Sequence, residues 1–144
     1  MITHKENRII NHSSVKIFDL VSDIKSYPYF LPWCLASRIH KKEKDFVIAE
    51  LLVGFNIYRE KFISHVNLNK KNFTINVDYA EGPFNHLKNK WVFKEHKDGC
   101  EIDFNVEFEF NSIIFQTAIE RLFSNAVKKM VFAFEKRADT LYKN

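Results

Sequence analysis

The chain has 144 residues, 46% hydrophobic and 28% charged, with a formal net charge of +4. That length supports one domain, 1–144, with a sizeable core, and the balance is that of a folded globular protein rather than a disordered one. No apolar stretch is long enough to span a bilayer, no basic run exceeds a pair (Lys41-Lys42, Lys70-Lys71, Lys128-Lys129) as a dedicated DNA-binding tail would, and Cys34 and Cys100 have no metal-ligand spacing.

Residues 1–6 carry no apolar signal segment, so the expectation is a cytoplasmic protein with reduced thiols. Residues 2–10 alternate and end in Ile9-Ile10, which predicts a first strand. Asn11-His12-Ser13-Ser14 is a helix-start signal with Ser13 or Ser14 as the cap, and Val15, Phe18, Leu20 and Val21 give a short amphipathic helix. Residues 27–34, Tyr-Pro-Tyr-Phe-Leu-Pro-Trp-Cys, hold two of the three prolines and one of the two tryptophans. A helix is not expected to run through Pro28 and Pro32, because each lacks a backbone donor and restricts its predecessor; one helical turn near 25–30 still fits. A surface loop is not expected to carry Tyr27, Tyr29, Phe30, Leu31 and Trp33 together. The segment reads as a rigid aromatic corner that either plugs the core or rims an apolar cavity.

From about residue 35 the period is two. Strands are predicted over 46–55, over 58–68 with Tyr58, Phe62, Val66 and Leu68 on one side, over 73–79, and around Trp91 and Phe93. In 100–110, Cys100, Ile102, Phe104, Val106, Phe108 and Phe110 alternate with Glu101, Asp103, Asn105, Glu107 and Glu109. That is the pattern of a sheet wet on one face and buried on the other. Asp98-Gly99 is read as a hairpin turn, and Asn69-Lys70-Lys71-Asn72 as another. Asn111-Ser112 then caps a helix over 113–142 that has no Gly or Pro, with apolar positions 115, 118, 119, 122, 126, 130, 133, 134 and 141 at helical spacing. Unbroken, it would be roughly 45 Å long. Lys128, Lys129, Lys136 and Arg137 read as its solvated side. The fold class is therefore α+β, a curved antiparallel sheet of about seven strands wrapped on a long C-terminal helix. A straight helix over a concave sheet leaves space that is either filled by large side chains or open as a cavity.

Four motifs stand in order along this frame: Tyr27-Pro28-Tyr29-Phe30-Leu31-Pro32-Trp33-Cys34; Glu50 to Phe55 followed by Arg59-Glu60-Lys61-Phe62; Glu81-Gly82-Pro83-Phe84-Asn85-His86-Leu87 with Trp91 and Phe93 after it; and Asp98-Gly99-Cys100 leading into Phe108-Glu109-Phe110. With the element order they resemble the START-like helix-grip superfamily and, more narrowly, the coenzyme Q-binding and polyketide cyclase-like family, in the branch that holds the bacterial ribosome association toxin. The resemblance runs from about residue 2 to 142. Two departures are Asn89, where a Gly often precedes the Lys/Arg-Trp pair, and Asn56-Ile57-Tyr58, which replaces a smaller turn with Gly.

The resemblance implies a hydrophobic tunnel for an isoprenoid lipid, ubiquinone, carried or chaperoned in support of respiration, with transient contact at the inner-membrane surface. The alternative it implies is a toxin that binds the large ribosomal subunit and blocks subunit joining, with Lys128, Lys129 and Lys136 as working residues. Candidate lining residues are Phe30, Leu31 and Trp33 from the corner, Phe62, Tyr79, Phe84, Trp91 and Phe93 from the strands, and Leu122, Ala126 and Met130 from the helix. Taken singly, each suits plain core packing; as a set, with Gly82-Pro83-Phe84 near one mouth, they suit a ligand. Arg59 or Glu60 points inward to a quinone carbonyl, or the two face opposite sides; His86 is a second donor candidate or a surface loop residue. Cys34 and His86 lack a third orienting group for nucleophilic chemistry, and buried, inert Cys34 is the expectation. The six His are scattered and no phosphate-cradling glycine loop is present. The expectation is a binding protein, not an enzyme, with no metal and no redox cofactor.

Overall fold

The computed structural model describes residues 1–55 and 58–142; Asn56 and Ile57 of the second departure lie outside them. Strand β1 (Ile2–Ile10) leads into α1 (Ser14–Ser22) and a 3-10 segment (Ile24–Tyr29). Six strands follow: β2 (Cys34–Lys42), β3 (Phe46–Phe55), β4 (Tyr58–Asn69), β5 (Thr74–Glu81), β6 (Phe84–His96) and β7 (Gly99–Phe110). Helices α2 (Ile113–Glu120) and α3 (Phe123–Leu141) close the described chain. The strands form one antiparallel sheet in the order β1-β7-β6-β5-β4-β3-β2. Register shifts between Ile63 and Ser64 on β4 and between Phe84 and His86 on β6 bend the sheet.

One face of the sheet carries Ile75, Trp91, Phe93, Ile102 and Phe104, and these pack with Phe18 and Val21 of α1 and Val127, Val131, Phe134 and Ala138 of α3. Phe134 sits at the centre, its ring centroid 5.1 to 5.4 Å from those of Phe30, Trp91 and Tyr27. Ser13 caps α1 by accepting from the Lys16 N–H.

Five expectations are corrected. The helical turn expected near 25–30 is present as the 3-10 segment, but it runs through Pro28. Proline's fixed φ suits that geometry, and the turn is closed by bonds on either side of it, Ser26 N–H to Asp23 O and Phe30 N–H to Tyr27 O. The aromatic corner divides: Leu31 is buried and Tyr27 and Phe30 pack on Phe134, but Tyr29 is 79% exposed. The β6–β7 connection is Lys97-Asp98, with Gly99 opening β7 at φ +137; a β-carbon there would stand 2.3 Å from the Ile10 carbonyl oxygen.

The C-terminal helix is two helices. The Leu122 N–H bonds to Ile119 O, and Leu122 (φ −106°, ψ −11°) then begins α3. No Gly or Pro causes the break. Phe115 of α2 packs on Phe110 and Phe123 of α3 on Phe108, so both helices follow β7, a twisted strand that a straight rod could not track. Arg137 also leaves the solvated side: its guanidinium lies over the Phe30 ring at 5.4 Å.

Candidate ligand cavity

Between α2, α3 and the concave face of the sheet lies an apolar cavity in two adjoining chambers. The outer chamber, about 190 Å³, is walled by Glu60, Phe84, Phe108 and Phe110 from the strands and by Phe115, Ile119, Phe123 and Ala126 from the helices. The inner chamber, about 160 Å³, is walled by Leu31, Leu51, Ser64, Ile75, Asn89 and Trp91, with Tyr27 and Phe134 above. Trp33, Phe62, Leu87, Phe104, Val106 and Met130 line both and form the waist between them. Strand alternation sets this arrangement. Glu60, Phe62, Ser64 and Val66 share the inward parity of β4, and Asn89, Trp91 and Phe93 that of β6.

Of the lining candidates, Trp33, Phe62, Phe84, Ala126 and Met130 stand on the outer wall or the waist, and Leu31 and Trp91 on the inner wall. Four do not stand on either wall. Phe30 is turned onto Phe134 and under Arg137. Phe93 is spent on the α1 core, 6.0 Å from Phe18. Tyr79 supports the mouth from behind, its hydroxyl accepting from the Phe84 N–H and its ring 5.5 Å from Phe84. Leu122 is 46% exposed at the helix break, and Phe123 takes its place.

Phe84 organises the mouth: it stacks on Phe110 at 4.7 Å and meets Phe62 edge-on at 5.5 Å. Of the polar candidates, Glu60 reaches the outer chamber, whereas Arg59 is exposed and His86 pairs with Glu107 at 3.0 Å. Cys34 donates to Ala36 O and is not joined to His86. Burial pushes its thiol up to about 11, and burial also raises Cys100 and the Tyr27 phenol, whose hydroxyl donates to Val21 O.

The sequence reading missed Phe104, Val106, Phe108 and Phe110 as wall residues, although the alternation over 100–110 had already put them inward. It also missed Ser64 and Asn89, which the inward parity of Phe62 and Trp91 would have found. Outside the cavity, Ile113 and Ile114 are 85% and 77% exposed immediately before Phe115 at the mouth. Lys128, Lys129 and Lys136 are exposed on α3. Among the described residues, no helix is long and apolar enough to cross a membrane.

A family model described as polyketide cyclase / dehydrase and lipid transport matches residues 10–135. The chain is 40% identical over 146 residues to the ribosome association toxin RatA of Rickettsia prowazekii, covering 99% of this chain and 100% of that protein. It is 33% identical to the mitochondrial coenzyme Q-binding protein COQ10 homolog B of Xenopus laevis over 98% of this chain, and spans 59% of that protein. A START superfamily protein from Mycobacterium smegmatis superposes with a TM-score of 0.82 over 96% of this chain and 98% of that one; at 16% identity this is a likeness of fold alone.

Proposed function

The chain belongs to the polyketide cyclase / dehydrase and lipid transport family, and within it we propose, from one relative in particular, that the protein acts on the ribosome, binding the large subunit and hindering subunit joining. The observation that carries this is the end-to-end match, at 40% identity, with a protein named for ribosome association. The sequence alone put a ubiquinone carrier first; the relatives favour the other order. Among the described residues the lysines paired with carboxylates are Lys41, Lys70 and Lys94, which leaves Lys128 and Lys129 open to a polyanion such as ribosomal RNA. Sedimentation profiles of ribosomes mixed with the protein test the reading. Free subunits accumulate, and Lys128→Glu with Lys129→Glu and Lys136→Glu removes the effect; normal joining at stoichiometric excess of protein would end it.

The cavity favours a second reading, a bound isoprenoid lipid such as ubiquinone, carried or chaperoned in support of respiration. Apolar surface taken from water contributes roughly 25 cal/mol per Å², and the cavity wall is almost wholly apolar. Ile113 and Ile114, exposed beside the mouth, would meet the inner-membrane surface while a lipid enters from the cytoplasmic side. Solvent extraction of the purified protein followed by mass spectrometry tests this; repeated absence of lipid, with no quinone binding in vitro, removes it. Both readings are binding roles, and neither requires a chemical step.

A further inference from the structure

The two chambers differ in chemistry. The outer chamber offers aromatic and aliphatic surface and one carboxylate, Glu60, which when ionised accepts hydrogen bonds and donates none. The inner chamber holds two donors on an otherwise apolar wall. Ser64 is 3% exposed between Phe62 and Val66. The Asn89 amide is oriented by two bonds: its Oδ1 accepts from Trp91 Nε1 at 3.0 Å, and its Nδ2 donates to Asn105 O at 2.8 Å. One amide N–H remains uncommitted to the fold. Polar groups on an apolar wall cost free energy unless they find partners. Their placement in the inner chamber, beyond the Trp33–Met130 waist, marks where a ligand's acceptor atoms belong.

Size agrees with chemistry. An apolar cavity of about 150 Å³ admits one benzene ring, and the inner chamber is about 160 Å³. We propose that a ring bearing carbonyl or hydroxyl oxygens, the head of a prenylated benzoquinone, enters first and rests in the inner chamber on Ser64 and Asn89, with its tail passing the waist into the outer chamber. This rests on the lipid-binding reading. It assigns specificity to Ser64 and Asn89: a plain fatty acid, carrying an anionic head, meets no Lys or Arg among the described residues that line the two chambers.

Trp91 reports the orientation. The chain has two tryptophans, so Trp33→Phe leaves Trp91, on the inner wall, as the sole indole. A quinone ring quenches an indole it touches by accepting an electron. Titration of the Trp33→Phe chain with a decyl-tailed benzoquinone, with binding followed in parallel by calorimetry, quenches Trp91 in step with occupancy. Ser64→Ala weakens quinone binding about fivefold, the equivalent of one net hydrogen bond, and leaves farnesol binding within twofold. Binding without quenching of Trp91, or an affinity that responds to Glu60→Gln and not to Ser64→Ala, overturns the orientation. If farnesol binds and the quinone does not, the head-first assignment fails while lipid binding stands. If neither binds, the lipid reading itself falls.

Discussion

Gly82 is packed against Phe62: a β-carbon at residue 82 would stand 2.6 Å from the Phe62 β-carbon and 3.0 Å from its Cα. Gly82 also holds φ at +144°, a conformation other residues avoid. Phe62 lines both chambers, so the glycine sets how far β4 and the β5–β6 connection close over the waist. Gly82→Ala is expected to lose about 1–3 kcal/mol of stability and to weaken ligand binding by moving Phe62. Urea unfolding with an unchanged midpoint would show that the fit is looser than the geometry states.

Phe134 is the next test. Its ring is met edge-on by Tyr27, Phe30 and Trp91, and no other α3 side chain joins the corner to the sheet by so many ring contacts among the described residues. Phe134→Ala is expected to cost about 3–5 kcal/mol, and Phe134→Leu clearly less, because it keeps most of the volume. Denaturant midpoints of the two variants check the order. A loss below about 1 kcal/mol for the alanine variant would mean that the corner is held elsewhere.

The sheet was legible in the sequence because alternation over 100–110 has one reading, a strand half in water. Element order followed from that and from the cap at Ser112, whose Oγ accepts from the Phe115 N–H. The cavity was less legible for a physical reason. The same inward phenylalanines build a filled core or a hollow one, and only their distances in space decide which. Glu60, Ser64 and Asn89 were readable by parity from Phe62 and Trp91 but ran against the expectation that polar residues face water. Tyr29 and Leu122 were misplaced because apolar character was taken as burial, and Pro28 because an α-helical rule was applied to a 3-10 turn.

Cys34 carries a pH prediction. Burial pushes its thiol from the ordinary value near 9 to about 11, and burial raises Cys100 in the same direction. The folded state therefore holds thiol protons that the unfolded chain gives up. That stabilisation is fully present below about pH 9 and is lost as pH rises toward 11. A maleimide or disulfide reagent at pH 7 is expected to label the folded protein far more slowly than the urea-unfolded chain, and unfolding free energy is expected to fall between pH 9 and 11. Labelling of the native protein at the unfolded rate would contradict the burial of both thiols.

Leu122 and Phe123 decide between one helix and two. A single straight helix with the apolar spacing of the sequence puts Leu122 inward. The break at 122 instead turns Leu122 outward, 46% exposed, and places the Phe123 ring 4.5 Å from that of Phe108 and 6.1 Å from His4. Leu122→Ala is accordingly expected to change stability by less than about 1 kcal/mol, and Phe123→Ala to cost roughly 2–4 kcal/mol, with a larger outer chamber and altered ligand affinity. Chemical denaturation of both variants gives the comparison. The reverse order, Leu122 costly and Phe123 neutral, would require α2 and α3 to run on as one rod, and the outer wall of the cavity would then have to be redrawn around Leu122.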